Sequence, residues 1–566
     1  MEVNKHSNKF YNAFRVWVKE ADNGKAVVFL VLCLLLAVRL TAFGTIPGGL
    51  NQDGAMAAVD AKALAEYGTD RFGTFMPAHL RAWGYGQMSA LLSYLMVPFV
   101  KIFGLNRTAV RLPILIASVL GSIAVYGTVK KVSDVKTGLA ALLILAVNPW
   151  HFMQSRWALD CNLFPHMFVL GLFFLISSLK PDSASGKSRE AGSAADMASG
   201  RKGKLYLSMV FFALCMYCYG VAFYMVPFFL LISCALLLLQ KQVKRKEILI
   251  CLFVYFGISW PVYGTMLINF MKWETVSLPF VTMEFFEGSV RSADILFFSE
   301  NIGEQLLGNA KSLLNVVFLQ KEDLLWNSIR DFGPMYRGTL PFVVLGAVLT
   351  ARGAVKEENR ARKTGCQLLF IFWICSLFTG LVINDININR INIIFYIHII
   401  FAAAGVSFII KKWKMAVYVF LTVFSFQSGM FFHAYFTDWS GEIERAFYGD
   451  FLDALEYAKD CDRGQYFITP DTQYEGAWNV TEILTLFVFE VDARYYQGAD
   501  GSGQEGELPY REKFLYSNPP GGEALPEAVY VFKSPDMDKF AGGNFNLTFF
   551  GDYSVAVPVT EPESSP

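Results

Sequence analysis

Residues 26–55 read AVVFLVLCLLLAVRLTAFGTIPGGLNQDGA, an apolar run that ends in Asn51-Gln52-Asp53-Gly54-Ala55. The part from 26 to 43 approaches the roughly 20 apolar residues a helix needs to cross a bilayer. It lies too far from the N-terminus for a simple signal peptide, and no small-residue cleavage site follows it. The chain therefore leaves a span and meets Asp53 at the membrane mouth. A carboxylate there is costly to desolvate, so it pairs, faces water or serves function. Asp is also a favoured helix N-cap, here for residues 55–67. The choice lies between a cap and a catalyst.

Hydrophobic residues make up 54% of the chain and charged residues 17%, which excludes an ordinary soluble enzyme. The formal net charge is zero, so nothing global points to nucleic acid. The nine cysteines fall mostly inside apolar stretches. Cys215 and Cys218 form a C-x-x-C, but within an apolar helix that spacing signals packing rather than redox or zinc chemistry. Cys161 and Cys461 alone are expected near or outside the membrane surface, and no disulfide follows from them.

Lys and Arg accumulate in cytoplasmic loops, and that bias orients the spans. Lys5, Lys9, Arg15, Lys19 and Lys25 put the N-terminus inside, so the first span delivers Asp53 outside. The basic groups at 130–136, 187–204, 241–246, 352–363 and 411–414 all fall inside if eleven spans are drawn. These are 26–43, 110–130, 137–155, 161–180, 204–220, 222–240, 247–268, 338–351, 366–382, 391–410 and 415–436. The apolar stretch 88–103 must then not cross. Its short length and Pro98 suit an element lying on the outer interface.

This topology leaves three outer regions: a first loop at 44–109, a long loop at 270–336 and the tail. Residues 1–436 form a transmembrane domain and 437–566 an extracytoplasmic α/β domain. In the latter, 451–458 is helix-like, whereas 465–469, 484–491 and 528–532 suit strands. The Ser-, Ala- and Gly-rich segment 181–203 suits a flexible cytoplasmic loop.

The same parity brings a second carboxylate outside. Asp160 closes the stretch Asn148-Pro149-Trp150-His151 to Asp160, where one span turns into the next. Arg156 precedes it by four residues, the spacing of a helical ion pair. Arg390 follows Asn384-Asp385-Ile386-Asn387-Ile388-Asn389 at the outer end of a later span, placed for a phosphate or a headgroup. Snorkelling alone would account for it equally well. His79, Arg81, Trp83 and Tyr85 add a basic-aromatic cluster that suits a sugar phosphate, although aromatic residues also anchor interfaces. No P-loop, dinucleotide fingerprint or H-E-x-x-H is present, so nucleotide-driven transport and zinc proteolysis have no motif support.

Taken in order, these pieces resemble bacterial membrane glycosyltransferases of family 39. That group is related to protein O-mannosyltransferases and lipid A aminoarabinose transferases, and its fold is called GT-C. The likeness rests on Asp53 with its Ala-rich continuation to Tyr67-Gly68, on Ile102-Phe-Gly104 with Ala109-Val-Arg-Leu-Pro113, and on Asn148-Pro-Trp-His151. It continues through Ser155-Arg156 to Asp160 and Asn387-Ile-Asn-Arg390. The resemblance implies a polytopic α-helical membrane protein with interfacial helices. It implies transfer of a sugar from a polyprenyl-phosphate carrier to a glycan, lipid or protein acceptor on the extracytoplasmic face of the cell membrane. By position, Asp53 corresponds to the aspartate taken as general base and Asp160 to the second acidic residue. Arg156 and Arg390, with Arg81 as a further candidate, correspond to groups that hold the carrier phosphate. The family often has Asp-Glu where this chain has Asp53-Gly54.

A lipid-phosphate sugar contains its own leaving group, so no nucleotide is required. One carboxylate taking the acceptor proton favours inversion at the anomeric carbon. Arginines can stabilise the departing phosphate. A divalent metal can do the same, but no ligand set in the sequence demands one. The rival is a non-enzymatic membrane protein, either a lipid-linked glycan transporter or a glycan-binding scaffold. A transporter places charges at mid-membrane, whereas these gather at outer span ends.

Overall fold

The computed structural model describes residues 25–82, 86–180, 191–287, 301–321, 324–383, 386–472, 478–497, 508–518 and 525–559. The basic N-terminal residues 5–19, the cluster members Trp83 and Tyr85, and Asn384-Asp385 lie outside them. The chain opens with α1 (Lys25–Leu40), α2 (Gln52–Tyr67), α3 (Leu91–Phe103), α4 (Arg107–Val132), α5 (Val135–Val147), α6 (Pro149–Gln154) and α7 (Asp160–Ser177). It continues through α8 (Ala191–Cys215), α9 (Ala222–Leu239), α10 (Arg245–Met271), α11 (Ile302–Leu313), α12 (Leu340–Lys356) and α13 (Arg360–Val382). Then come α14 (Ile388–Ile391), α15 (Ile394–Lys412), α16 (Ala416–Ala434), α17 (Ser440–Ala446), α18 (Gly449–Asp460) and α19 (Trp478–Val488).

Eight helical stretches among the described residues are long and apolar enough to cross a membrane. The difference from eleven has local causes. The segment 137–155 is not one helix, because Asn148 and Pro149 end α5 and start α6. The Asn148 side chain accepts from His151 N at 3.0 Å, a capping bond. Helix α1 ends at Leu40, before the expected end of its span at Phe43. Helix α8 carries Arg201, Lys202 and Lys204 within its length, and it starts at Ala191, so the second half of the expected flexible loop is helical. Its alanines favour that state. Helix α3 has 13 residues, about 20 Å of rise against a hydrocarbon core of about 30 Å. That is less than the core is thick, and Ile102 and Phe103 are exposed at its end.

Beyond α16 the pattern changes to a five-stranded sheet. Two short hairpins, β1 (His79–Ala82) with β2 (Gly86–Ser89) and β3 (Val276–Leu278) with β4 (Val281–Met283), precede it in the loops after α2 and α10. The sheet is formed by β5 (Gln465–Ile468), β6 (Phe514–Tyr516), β7 (Ala528–Lys533), β8 (Phe545–Phe550) and β9 (Tyr553–Pro558), in the order β6-β5-β7-β9-β8. The inner pairings of β5 are parallel, and those of β9 are antiparallel. Residues 484–491 do not form the expected strand. Val480, Ile483, Leu484 and Phe487 are buried at helical spacing and belong to α19. This sheet domain docks on the loop after α2: Tyr67 Oη donates to both carboxylate oxygens of Asp492, at 2.9 and 2.8 Å, and Gln497 Nε2 donates to the Asp70 carbonyl at 3.0 Å.

Candidate active site where helix ends meet

The loop joining α1 to α2 is built around two buried guanidinium groups. Arg111, in α4, donates to the carbonyls of Gly44, Pro47 and Gly49 at 3.2, 3.0 and 2.7 Å. Arg156 donates to the carbonyls of Arg39, Thr41, Ala42 and Ile46, at 2.7 to 3.1 Å. Both side chains are fully buried. Backbone carbonyls that would otherwise be orphaned in a turn at the membrane surface are thus paired. This corrects the expectation for Arg156. Its nitrogens clamp the loop, and residues 157–159 are not helical, so the i,i+4 geometry with Asp160 does not form.

The clamped loop ends at Leu50, whose N–H donates to the Phe447 carbonyl at 2.7 Å. Gly49 allows this approach with φ +68. Helix α2 then begins with Asn51 at the N-cap position and Asp53 in its first turn, half-buried. Asp53 is therefore not the cap, and a carboxylate is electrostatically favoured where it sits. Asp160 is likewise half-buried and opens α7, with its Oδ1 accepting from Cys161 N at 2.7 Å.

Three segments converge here. A Cβ at Gly54 would stand 2.8 Å from the Ala158 carbonyl and 2.7 Å from Asn51 Oδ1. The first turn of α2 therefore lies against the corner that leads into Asp160. Asn392 Nδ2 donates to the Cys161 carbonyl at 2.9 Å, which fastens α14, bearing half-buried Arg390, to the same corner. Asn387 caps α14 through its side chain. Trp157 and Trp326 flank Phe447 at ring distances of 5.3 and 5.7 Å and close one wall.

The sequence reading missed Asn392, whose Nδ2 also donates to Gln154 Oε1 at 3.4 Å, and Arg111. The first stands two residues past Arg390 in the same Asn/Ile alternation, and that alternation was the available signal. Arg81 lies apart from this convergence. It is half-exposed, pairs with Glu284 of the long outer loop and lies 5.1 Å from the Phe72 ring centroid. A carboxylate partner competes with any phosphate for that guanidinium. Among the described residues, no group of three or more His, Cys, Asp or Glu is arranged to hold a metal ion.

A Cβ at Gly54 would meet backbone, so only glycine fits this approach. Gly54→Ala is expected to push the first turn of α2 away from residues 157–160 and to lower the melting temperature. An unchanged thermal melt would show that the approach is dispensable.

At the other end of α2 a buried ionic cluster fixes the helix. Arg71 Nη1 meets Asp60 Oδ2 at 2.5 Å, and Arg71 N donates to Asp60 Oδ1 at 2.9 Å. Burial and the charge of Asp60 push the neighbouring Asp70 carboxyl up to about 7. The folded protein thus retains a proton that the unfolded chain releases near pH 4. Asp70 therefore subtracts stability progressively as pH rises from about 4 to about 7, and adds no further loss above that. In Asp70→Asn the amide oxygen can still accept from Phe72 N and Thr74 N, the bonds Asp70 Oδ1 makes at 2.9 and 2.8 Å. The melting temperature of the wild type is expected to fall relative to this variant across that pH interval. Parallel melting profiles would count against it.

The fold is that of a polytopic GT-C membrane protein, with a small sheet domain at its C-terminal end. ArnT from Cupriavidus metallidurans in the apo state superposes with a TM-score of 0.52 at 11% identity, over 94% of this chain and 98% of that chain. The same protein bound to undecaprenyl phosphate gives 0.52 at 10% identity with the same coverage. The Archaeoglobus fulgidus oligosaccharyltransferase in the apo form matches with a TM-score of 0.49 at 12% identity, over 86% of this chain and 67% of that one. The family described as dolichyl-phosphate-mannose-protein mannosyltransferase matches residues 89–184. That region contains Arg156 and Asp160 but neither Asp53 nor Arg390. A search of curated proteins gives no match.

Proposed function

We propose that this chain is a membrane glycosyltransferase that moves a sugar from a polyprenyl-phosphate carrier to an acceptor at the extracytoplasmic face of the cell membrane. The observation that carries the reading is the convergence of α2, the 157–161 corner and α14, which brings the segments bearing Asp53, Asp160 and Arg390 together at helix ends. The undecaprenyl-phosphate complex of the similarly folded ArnT supports a lipid carrier.

Asp53 acts as general base. It takes the proton of the acceptor hydroxyl, whose oxygen forms the new bond to the anomeric carbon as the bond to the carrier phosphate breaks. Inversion follows. Arg390 stabilises the departing phosphate, a charge-assisted contact. Asp160 orients the acceptor or the sugar, and Arg156 positions the loop that presents Asp53. Purified protein incubated with a panel of polyprenyl-phosphate sugars and membrane extract is expected to give a glycosylated product by mass analysis. Carrier sugars that all remain intact would overturn the reading.

The reading requires the site to face outward. Cysteine placed at Asn106 is expected to label only from outside and at Ser133 only from the cytoplasm. The reverse pattern would invert the whole topology.

A further inference from the structure

A cavity of 660 Å³ lies beside this site, between the membrane portion and the outer sheet. Its walls come from Leu325 of the long outer loop, the α17–α18 junction, the end of β7 and the turn into β9. The volume falls within the roughly 300–1,000 Å³ typical of small-molecule sites. Glu442, Asp450 and Asp552 face it together with Arg445 and Lys533, over the aromatic carbon of Tyr448 and Tyr553. Each hydroxyl of a sugar both donates and accepts, and a lining that interleaves carboxylates with cations serves both needs. Tyr448 and Tyr553 are themselves buried and form the floor beneath these charged groups. Three carboxylates against two cations disfavour an anionic carrier phosphate.

The location is equally specific. Tyr448 directly follows Phe447, whose carbonyl holds Leu50 N. Leu50 is three residues, at most about 11 Å of extended chain, from Asp53. The opposite wall is tied down by Trp439 Nε1, which donates to the Leu325 carbonyl at 3.0 Å.

We propose that this cavity binds a neutral or amino-sugar unit of the acceptor and so holds its reactive hydroxyl toward Asp53. The acceptor role rests on the glycosyltransferase reading, whereas sugar binding does not. The test is calorimetric titration of the full-length, detergent-solubilised protein with four probes. These are a glucosamine disaccharide, an N-acetylglucosamine disaccharide, glucuronic acid and the tripeptide Asn-Val-Thr. The two disaccharides are expected to bind saturably at millimolar concentration, and glucuronic acid and the peptide are not.

Glu442 and Asp552 are exposed, so Glu442→Gln with Asp552→Asn leaves the core intact. Each loses a hydrogen bond to an ionised group, and together they should weaken disaccharide binding tenfold or more. Lys533→Gln, on the sheet wall beside Asp552, is the second variant and should weaken it as well. Absent sugar binding, undiminished binding in the variants, or binding of the peptide instead would each overturn the proposal. Retained binding with no transfer from any carrier sugar would instead remove the glycosyltransferase reading and leave the sugar site standing.

Discussion

Asp53→Asn is expected to lose sugar transfer by about 10²- to 10⁴-fold, the usual worth of general-base assistance, while the protein still folds. The substitution nearly preserves shape and removes the basic carboxylate. Helix capping does not confound it, because Asn51 occupies the N-cap position of α2 and Asp53 lies in the first turn. The lost attraction between a carboxylate and the helix N-terminus is worth about 0.3–1 kcal/mol. That is too little to unfold a domain of ordinary stability. Initial transfer rates, read beside thermal melting of both proteins, decide the matter. An unchanged rate would reduce Asp53 to an electrostatic partner of its own helix. Arg390→Ala is expected to raise the KM for the carrier sugar instead, because its proposed partner is the carrier phosphate already in the bound donor.

The contrast between Asp53 and Arg156 shows where sequence reasoning stops. Both stand at span ends, where a charge demands explanation, and for Asp53 that position posed the choice between a cap and a catalyst. For Arg156 the same logic pointed to a phosphate, whereas the structure supplies carbonyl partners from residues 39–46, more than a hundred positions away in the chain. No local pattern encodes that cage.

The strand expected at 484–491 failed for a related reason. Its β-branched and aromatic composition suits a sheet, but the burial follows the spacing of a helix packed on α2 and α18. Hydropathy made the apolar stretches legible because every one of them must satisfy its backbone internally. It could not show that Asn148-Pro149 divides one of them.

The second large effect concerns the far end of α2, where sequence offered no warning. Asp60 is fully buried, Arg71 nearly so, and the two form an ion pair that also engages the Arg71 backbone N–H and, through Arg71 Nη2, the Arg81 carbonyl at 2.7 Å. Burial raises the Asp60 carboxyl and Arg71 lowers it again. Without Arg71, burial acts unopposed on Asp60, beside an Asp70 that is already pushed up. Breaking such a pair by removing one partner typically costs about 3–5 kcal/mol, whereas replacing both partners is often neutral. Arg71→Met is therefore expected to destabilise the first outer loop by about that amount. Arg71→Met with Asp60→Asn should recover most of it, a coupling that a simple loss of packing would not produce. Limited proteolysis of the first loop and thermal melting of the two variants measure the difference. Because the helix that buries Asp60 also carries Asp53 at its start, the single variant should lose transfer in parallel with its loss of protection. If Arg71→Met melts like wild type, the pair does not fix α2, and the position of Asp53 depends on the Arg111 and Arg156 clamps alone.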